Sequence, residues 1–293
     1  MNYAVLTPLR DEATELPRLA RCLAAQLVRP VRWILIDNGS SDGTHEIASE
    51  LARRYDWVRV LTVPPGPPRM RGGNVVRAMH AGIAQLEHGV DLVAKVDADV
   101  SFGADYFERL VRAFDADAAL GMASGACVER TEGVWRERPV TGTHVWGAAR
   151  AYRAACLRDV LPLDERMGWD GIDQIRAATR GWKVDRVPGL QFRHHRREGE
   201  RDGSRLRVWA AQGSAAHYMG YRFSYLLLRT LHRARREPAA AAILGAYLLA
   251  WMRREQRCPD AEVRKRLRRE QRARHLLVRA RELRAREAVP RSG

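Results

Sequence analysis

Asp97-Ala98-Asp99 places two carboxylates two residues apart, directly after the apolar run Leu92 to Val96. Two such acids repel each other and shift in pKa unless a cation lies between them. Mg²⁺ and Mn²⁺, which prefer oxygen ligands and keep phosphates in their shell, suit that pair. Asp37-Asn38-Gly39-Ser40-Ser41-Asp42-Gly43-Thr44 follows another apolar run, Val31 to Ile36. A carboxylate followed by small, turn-forming residues is either a capped turn or part of a site for a nucleotide diphosphate. Further on stand Trp169-Asp170-Gly171-Ile172-Asp173 with Arg180-Gly181-Trp182, and the imidazoles and guanidinia of His194-His195-Arg196-Arg197.

The elements that must carry these groups alternate. Tyr3 to Leu6 is a short apolar run, Glu15 to Leu27 has leucines at helical spacing, and Val31 to Ile36 is rich in β-formers. Helices are expected at His45 to Tyr55 and Val75 to Leu86, with strands at Val58 to Val63 and Leu92 to Val96. Strands that alternate with helices of this length imply a mostly parallel, Rossmann-like α/β sheet with helices on both faces. Ligands bind such sheets beyond the carboxyl ends of the strands. The residues to watch are therefore 7–12, 37–44, 64–73 and 97–99.

The chain has 293 residues and a net charge of +16. Residues 1 to 189 carry 25 basic and 25 acidic side chains, and residues 190 to 293 carry 26 and 10, so all of the excess lies in the last third. That split suggests two regions, 1–200 and 201–293, with different physical roles. A nucleic-acid-binding protein that uses the basic tail is disfavoured, because the neutral first part gathers acids that repel a phosphate backbone. Cys22, Cys127, Cys156 and Cys258 have no CxxC spacing and read as reduced thiols. The start runs into a strand without a basic and then apolar leader, so a cytoplasmic protein is expected.

The strand followed by Asp37 to Thr44, with a second strand ending in Asp97-Ala98-Asp99 about 55 residues later, resembles the family 2 glycosyltransferases of GT-A fold over roughly residues 3 to 197. The resemblance implies that Asp37 contacts the nucleotide base, that Asp97 faces the donor nucleotide and that Asp99 ligates the metal. It places Thr7, Pro8, Arg10 and Glu12 beside base and ribose. Arg71, Gly72 and Gly73 match either a donor-binding segment or a plain loop and helix start. Counting back from Gly181 puts the catalytic base at Asp170. Many members have two adjacent acids there, whereas Trp169 precedes Asp170 here and the next acid, Asp173, lies about 300° round a helix. Asp173 is left as an acceptor contact or a helix cap. The resemblance also implies a metal-ligating histidine, His194 ahead of His195, with Arg196 or Arg197 against the leaving group. Trp146 to Arg153 resembles the segment before the acceptor helix, where Trp146 either faces a sugar or packs in the core.

The expected function is inverting transfer of a sugar from a nucleotide sugar, with UDP the commonest donor nucleotide in the family, to a glycan or lipid-linked acceptor. A nucleotidyltransferase is the rival, but Thr7 to Glu12 lacks the Gly-rich basic loop of those enzymes. In the last third, Pro238 to Met252 is an uncharged run of about 22 Å if helical, short of the roughly 30 Å of a bilayer core. With Tyr218 to Leu231 and flanking arginines it reads as an interfacial hairpin on anionic lipid or as an ordinary helical subdomain.

Overall fold

The computed structural model describes residues 1–66, 72–131, 133–140, 143–196, 204–235 and 237–272. Arg71 and Arg197, both named above, lie outside them. The chain divides into two compact units, Met1–Arg138 with Thr143–Arg197, and Pro139–Gly142 with Glu198–Gly293.

The first unit opens as the hydrophobic pattern predicts. Strands β1 (Tyr3–Leu9), β2 (Arg32–Asp37), β3 (Val58–Thr62) and β4 (Leu92–Val96) alternate with helices α1 (Leu16–Ala24), α2 (Thr44–Arg54) and α3 (Gly73–Ile83). β1 runs parallel to β2 and β4, and β2 parallel to β3. After β4 the alternation gives way to β5 (Val100–Phe102), α4 (Tyr106–Ala116), β6 (Leu120–Thr131), β7 (Val134–Glu137), β8 (Ala149–Arg153), α5 (Ala154–Val160), α6 (Trp169–Thr179) and β9 (Lys183–His194). The sheet order is β3-β2-β1-β4-β8-β6-β9-β5, with β7 paired to β6. β8 is antiparallel to β4. The carboxyl end of β4 therefore meets the amino end of β8, which brings Asp97 beside Ala148: the Asp97 N–H donates to the Ala148 carbonyl at 2.8 Å.

Strand alternation sends successive side chains to opposite faces. Tyr3, Val5 and Leu9 pack with Trp33, Leu35 and the apolar stripes of α1 and α4. Leu6, Ile34 and Ile36 pack on the other face with α3, α5 and α6. Thr7 belongs to the first set. Its side chain is fully buried, and its hydroxyl accepts from Trp33 Nε1 at 2.9 Å.

The second unit contains helices α7 (Arg205–Tyr218), α8 (Phe223–Ala234), α9 (Ala242–Met252) and α10 (Ala261–Glu270), with a 3-10 turn at Pro238–Ala241. Ala216, Leu226, Ala240, Ile243 and Tyr247 form its core. Gly213 permits close approach of α7 and α9, since a Cβ there would lie 2.2 Å from the Ile243 carbonyl oxygen. The uncharged run Pro238 to Met252 is thus broken by a 3-10 turn, and no described helix is long and apolar enough to cross a membrane.

Candidate active site

The loops after β1 and β2 are laced together by the side chains of the second. The Ser40 hydroxyl accepts from the Asp11 N–H at 3.1 Å, Asp42 from the Ala13 N–H at 3.0 Å, and Thr44 from the Glu12 N–H at 2.7 Å. Asp11 answers by accepting from the Ser41 N–H at 2.8 Å. Asp37 is buried at the end of β2; one of its oxygens accepts from the Ser40 N–H and hydroxyl at 3.0 and 2.6 Å, and the other lies 3.1 Å from His45 Nδ1. The serines, Asp42, Thr44 and His45 were not singled out individually by sequence reasoning. Polar side chains that hydrogen-bond nearby backbone are the ordinary turn signal, and nothing local reveals that their partners sit in the other loop.

Asp97 and Asp99 follow β4 and diverge in environment. Asp97 Oδ1 lies 2.5 Å from Nζ of Lys95, itself buried, and burial followed by the charge of Asp99 raises Asp97 above the usual carboxylate range in spite of that lysine. Asp99 Oδ1 lies 3.5 Å from His194 Nε2, and its Oδ2 accepts from Arg196 Nε at 2.9 Å. Burial opposes ionisation of Asp99, but the His194 hydrogen bond and charge and the Arg196 guanidinium hold it at about 2. Arg196 also bonds Glu12, whose carboxylate is buried in the loop after β1. Glu12, Asp99, His194 and Arg196 are thus brought into one cluster. Pro8 is half-buried and Arg10 exposed beside it.

The two histidines part company because strand neighbours face opposite ways. His194 pairs with Val100 on one side and Glu129 on the other. Its Nδ1 lies 3.1 Å from Glu129 Oε1; burial opposes its protonation, but Asp99 and Glu129 lift it to about 9. His195 turns away, 2.7 Å from Ser101 Oγ and edge-on to Trp135. A carboxylate oxygen and an imidazole nitrogen 3.5 Å apart, the imidazole backed by a second carboxylate, form a donor set suited to a divalent cation.

Asp170 stands in the first turn of α6, after Gly168 in the left-handed region at φ 89°. Its backbone oxygen accepts from both terminal nitrogens of Arg150, at 3.2 Å each, and from Gln174 Nε2 at 2.6 Å. Its carboxylate makes no hydrogen bond or ion pair among the described residues and approaches Gly147, where a Cβ would lie 3.1 Å from Oδ2. Trp146 packs against the core under the Arg138 guanidinium, 4.9 Å from the ring centre, and its buried Nε1–H has no partner among the described residues. Gly72 and Gly73 start α3, and Gly72, at φ 78°, abuts the Arg166–Met167 backbone.

Two expectations need correction. Thr7 cannot offer its side chain to a nucleotide, because strand alternation points it into the core against Trp33. Asp173 neither caps α6 nor faces an acceptor: it is 1% exposed and accepts from Arg150 at 2.7 Å and from the Tyr152 hydroxyl at 2.5 Å.

The sequence pattern of glycosyl transferase family 2 matches residues 4–159, more than half of the chain. The chain belongs to that family. The chain is 34% identical over 108 residues to the succinoglycan biosynthesis protein ExoA of Rhizobium meliloti, a match that covers 36% of the chain and 31% of that relative. It therefore spans under a third of that relative's length. An uncharacterized glycosyltransferase of Mycobacterium tuberculosis is 27% identical over 193 residues, 61% of this chain and 80% of its own. Among solved structures, a mannosyltransferase from Pyrobaculum calidifontis in complex with GDP-Man and Mn²⁺ superposes with a TM-score of 0.57 at 15% identity, covering 95% of this chain and 83% of its own. At that identity the likeness is one of fold, and the fold is GT-A.

Proposed function

We propose that the protein is an inverting, metal-dependent glycosyltransferase that moves a sugar from a nucleoside diphosphate sugar, UDP the first nucleotide to test, onto a hydroxyl of a glycan or lipid-linked acceptor. The observation that carries the reading is the Asp170 carboxylate, which makes no hydrogen bond or ion pair among the described residues, on a helix start whose backbone is fixed by Arg150 and Gln174. An enzyme that deprotonates a hydroxyl needs an acid group held in place yet left able to accept.

In this reading Asp37 and the laced loops hold the base, Asp97 and the Arg10 to Glu12 segment border the ribose, and the amino end of α3 at Gly73 lies near the donor. Asp99 and His194 would hold Mn²⁺ or Mg²⁺, and neighbours of the same fold that contain Mn²⁺ support that choice. When bound, such an ion stabilises negative charge on diphosphate oxygens. Arg196 adds a fixed cation beside the same charge. Asp170 takes the acceptor proton as the acceptor oxygen bonds to the anomeric carbon from the face opposite the diphosphate. The bond from carbon to diphosphate oxygen breaks and its electron pair leaves with the nucleotide. One displacement inverts the centre. The orphan Trp146 Nε1–H is a donor that a sugar hydroxyl can satisfy.

The second unit is proposed to rest on the cytoplasmic face of an anionic membrane, supported by Leu228, Leu231, Trp251 and Met252, each more than half exposed, beside Arg253 and Arg254.

The decisive experiment is Asp170→Asn, assayed against a panel of nucleotide sugars with Mn²⁺. Turnover falls roughly 10² to 10⁴ fold while donor affinity stays within error. Retained turnover would remove Asp170 from the role of base.

A further inference from the structure

The metal-facing histidine has a partner that sequence reasoning did not touch. β6 and β9 are parallel and bring Glu129 and His194 into register, so their side chains leave the sheet on the same face. Both ring nitrogens of His194 meet a carboxylate oxygen, Nδ1 at 3.1 Å from Glu129 and Nε2 at 3.5 Å from Asp99. The contacts differ in kind. The first is a hydrogen bond within a strand pair; the second spans the wider gap on the side of the donor acids. Glu129 is itself held, since its Oε1 accepts from Arg138 Nη1 at 3.2 Å. Arg138 is anchored in turn by its backbone N–H on the Cys127 carbonyl at 2.8 Å and by stacking on Trp146. Arg138 and His194 thus meet at the same carboxylate oxygen, Oε1.

We propose that Glu129 is the positioning residue of the metal site: by accepting from Nδ1–H it fixes the ring plane of His194 and keeps a proton on Nδ1, so that Nε2, turned toward Asp99, is the nitrogen left to ligate a cation when one is bound. The proposal rests on the reading of Asp99 and His194 as metal ligands. An imidazole has two tautomers of similar energy in water, and only the one with its proton on Nδ1 offers Nε2 as a ligand. A carboxylate on Nδ1 selects that tautomer and makes Nε2 a better donor, which in metalloproteins is worth about 10- to 100-fold in metal affinity. The Arg138 link places the same carboxylate one residue contact from Trp146, the neighbour of Gly147 and hence of Asp170. Glu129 therefore stands between the donor acids and the acceptor side, although it reaches no substrate itself.

The test measures Mn²⁺ affinity of the full chain, without substrate, by electron paramagnetic resonance of the free ion, for wild type, Glu129→Leu, Glu129→Gln and His194→Ala. Leucine removes the acceptor and weakens Mn²⁺ about 10- to 100-fold. Glutamine keeps an acceptor oxygen without its charge, and falls between wild type and leucine. In Mg²⁺-loaded protein the ring NMR signals of His194 report a proton on Nδ1 in wild type and a mixture of tautomers in Glu129→Leu, a change that loss of packing alone does not produce. If Glu129→Leu does not fold, Glu129→Gln carries the test, and affinity within twofold of wild type overturns the proposal. Loss of Mn²⁺ in His194→Ala with full affinity in both Glu129 variants refutes the positioning role and leaves His194 a ligand. Unchanged affinity in His194→Ala refutes the metal-site reading itself.

Discussion

Gly147 owes its importance to a carboxylate rather than to its own backbone. A methyl group there would stand 3.1 Å from Asp170 Oδ2, closer than side chains normally pack, so the acid must yield by a few tenths of an ångström. Gly147→Ala is expected to lower turnover roughly 10-fold or more if Asp170 is the base proposed above, since small misplacements of such a group are costly. Stability should change by under about 1 kcal/mol, because the acid can shift. Turnover and thermal melting of the same variant check both halves. Nothing in the sequence marked this glycine, because its constraint comes from a residue 23 positions away. The positions of Asp99 after a strand and of Asp170 at a helix start were legible in the sequence, since apolar runs and a spaced companion mark both places. Thr7 was misread for the opposite reason: a polar residue near a strand end looks like a ligand contact until the alternation of the strand shows which face it takes.

Helix α6 is held to strand β8 by a buried ion pair. Arg150 and Asp173 are each 1% exposed; Tyr152 donates to the same acid, and Arg150 spans to the backbone oxygens of Val145 and Asp170. Removing one member leaves an uncompensated charge in a dry interior, so Asp173→Ala should cost about 3 to 5 kcal/mol. Chemical denaturation at neutral pH measures it. A loss below about 1 kcal/mol would show that the pair is not a structural tie. In sequence Asp173 looked like a cap or an acceptor contact, because charged residues are rarely fully buried and its partner lies on a strand that the apolar pattern did not reveal. The first four strands were readable, being short apolar runs between helices. β6 to β9 were largely not: Gly121, Ser124 and Gly125 interrupt β6, and Pro188 and Gly189 interrupt β9.

At the scale of the whole molecule, the charge split corresponds to chemistry of two kinds. The first unit, whose residues 1 to 189 balance in charge, gathers acids around a candidate donor site, and the second combines its own small core with exposed Leu228, Leu231, Trp251 and Met252 and a surplus of arginine. The full chain is therefore expected to sediment with anionic vesicles and to be released as salt is raised, because the arginine contribution is screened. Equal recovery in the supernatant with anionic and with neutral vesicles would argue against it. The uncharged run alone left an interfacial hairpin and a packed subdomain as alternatives. The structure shows a packed core with exposed apolar side chains around it, a combination that depends on which face each helix turns inward.

The Arg196 bridge between Glu12 and Asp99 joins residues up to 184 positions apart. β9, which ends at His194, is also among the last strands to be synthesised, yet it lies inside the sheet between β6 and β5. A nascent chain that has emerged only as far as β8 already carries Glu12 and Asp99, but neither the imidazole nor the guanidinium that meets them. Contacts so distant along the chain form late in folding. In the proposed reading, a chain clipped before β9 keeps Asp99 without His194 and Arg196, and is expected to transfer no sugar.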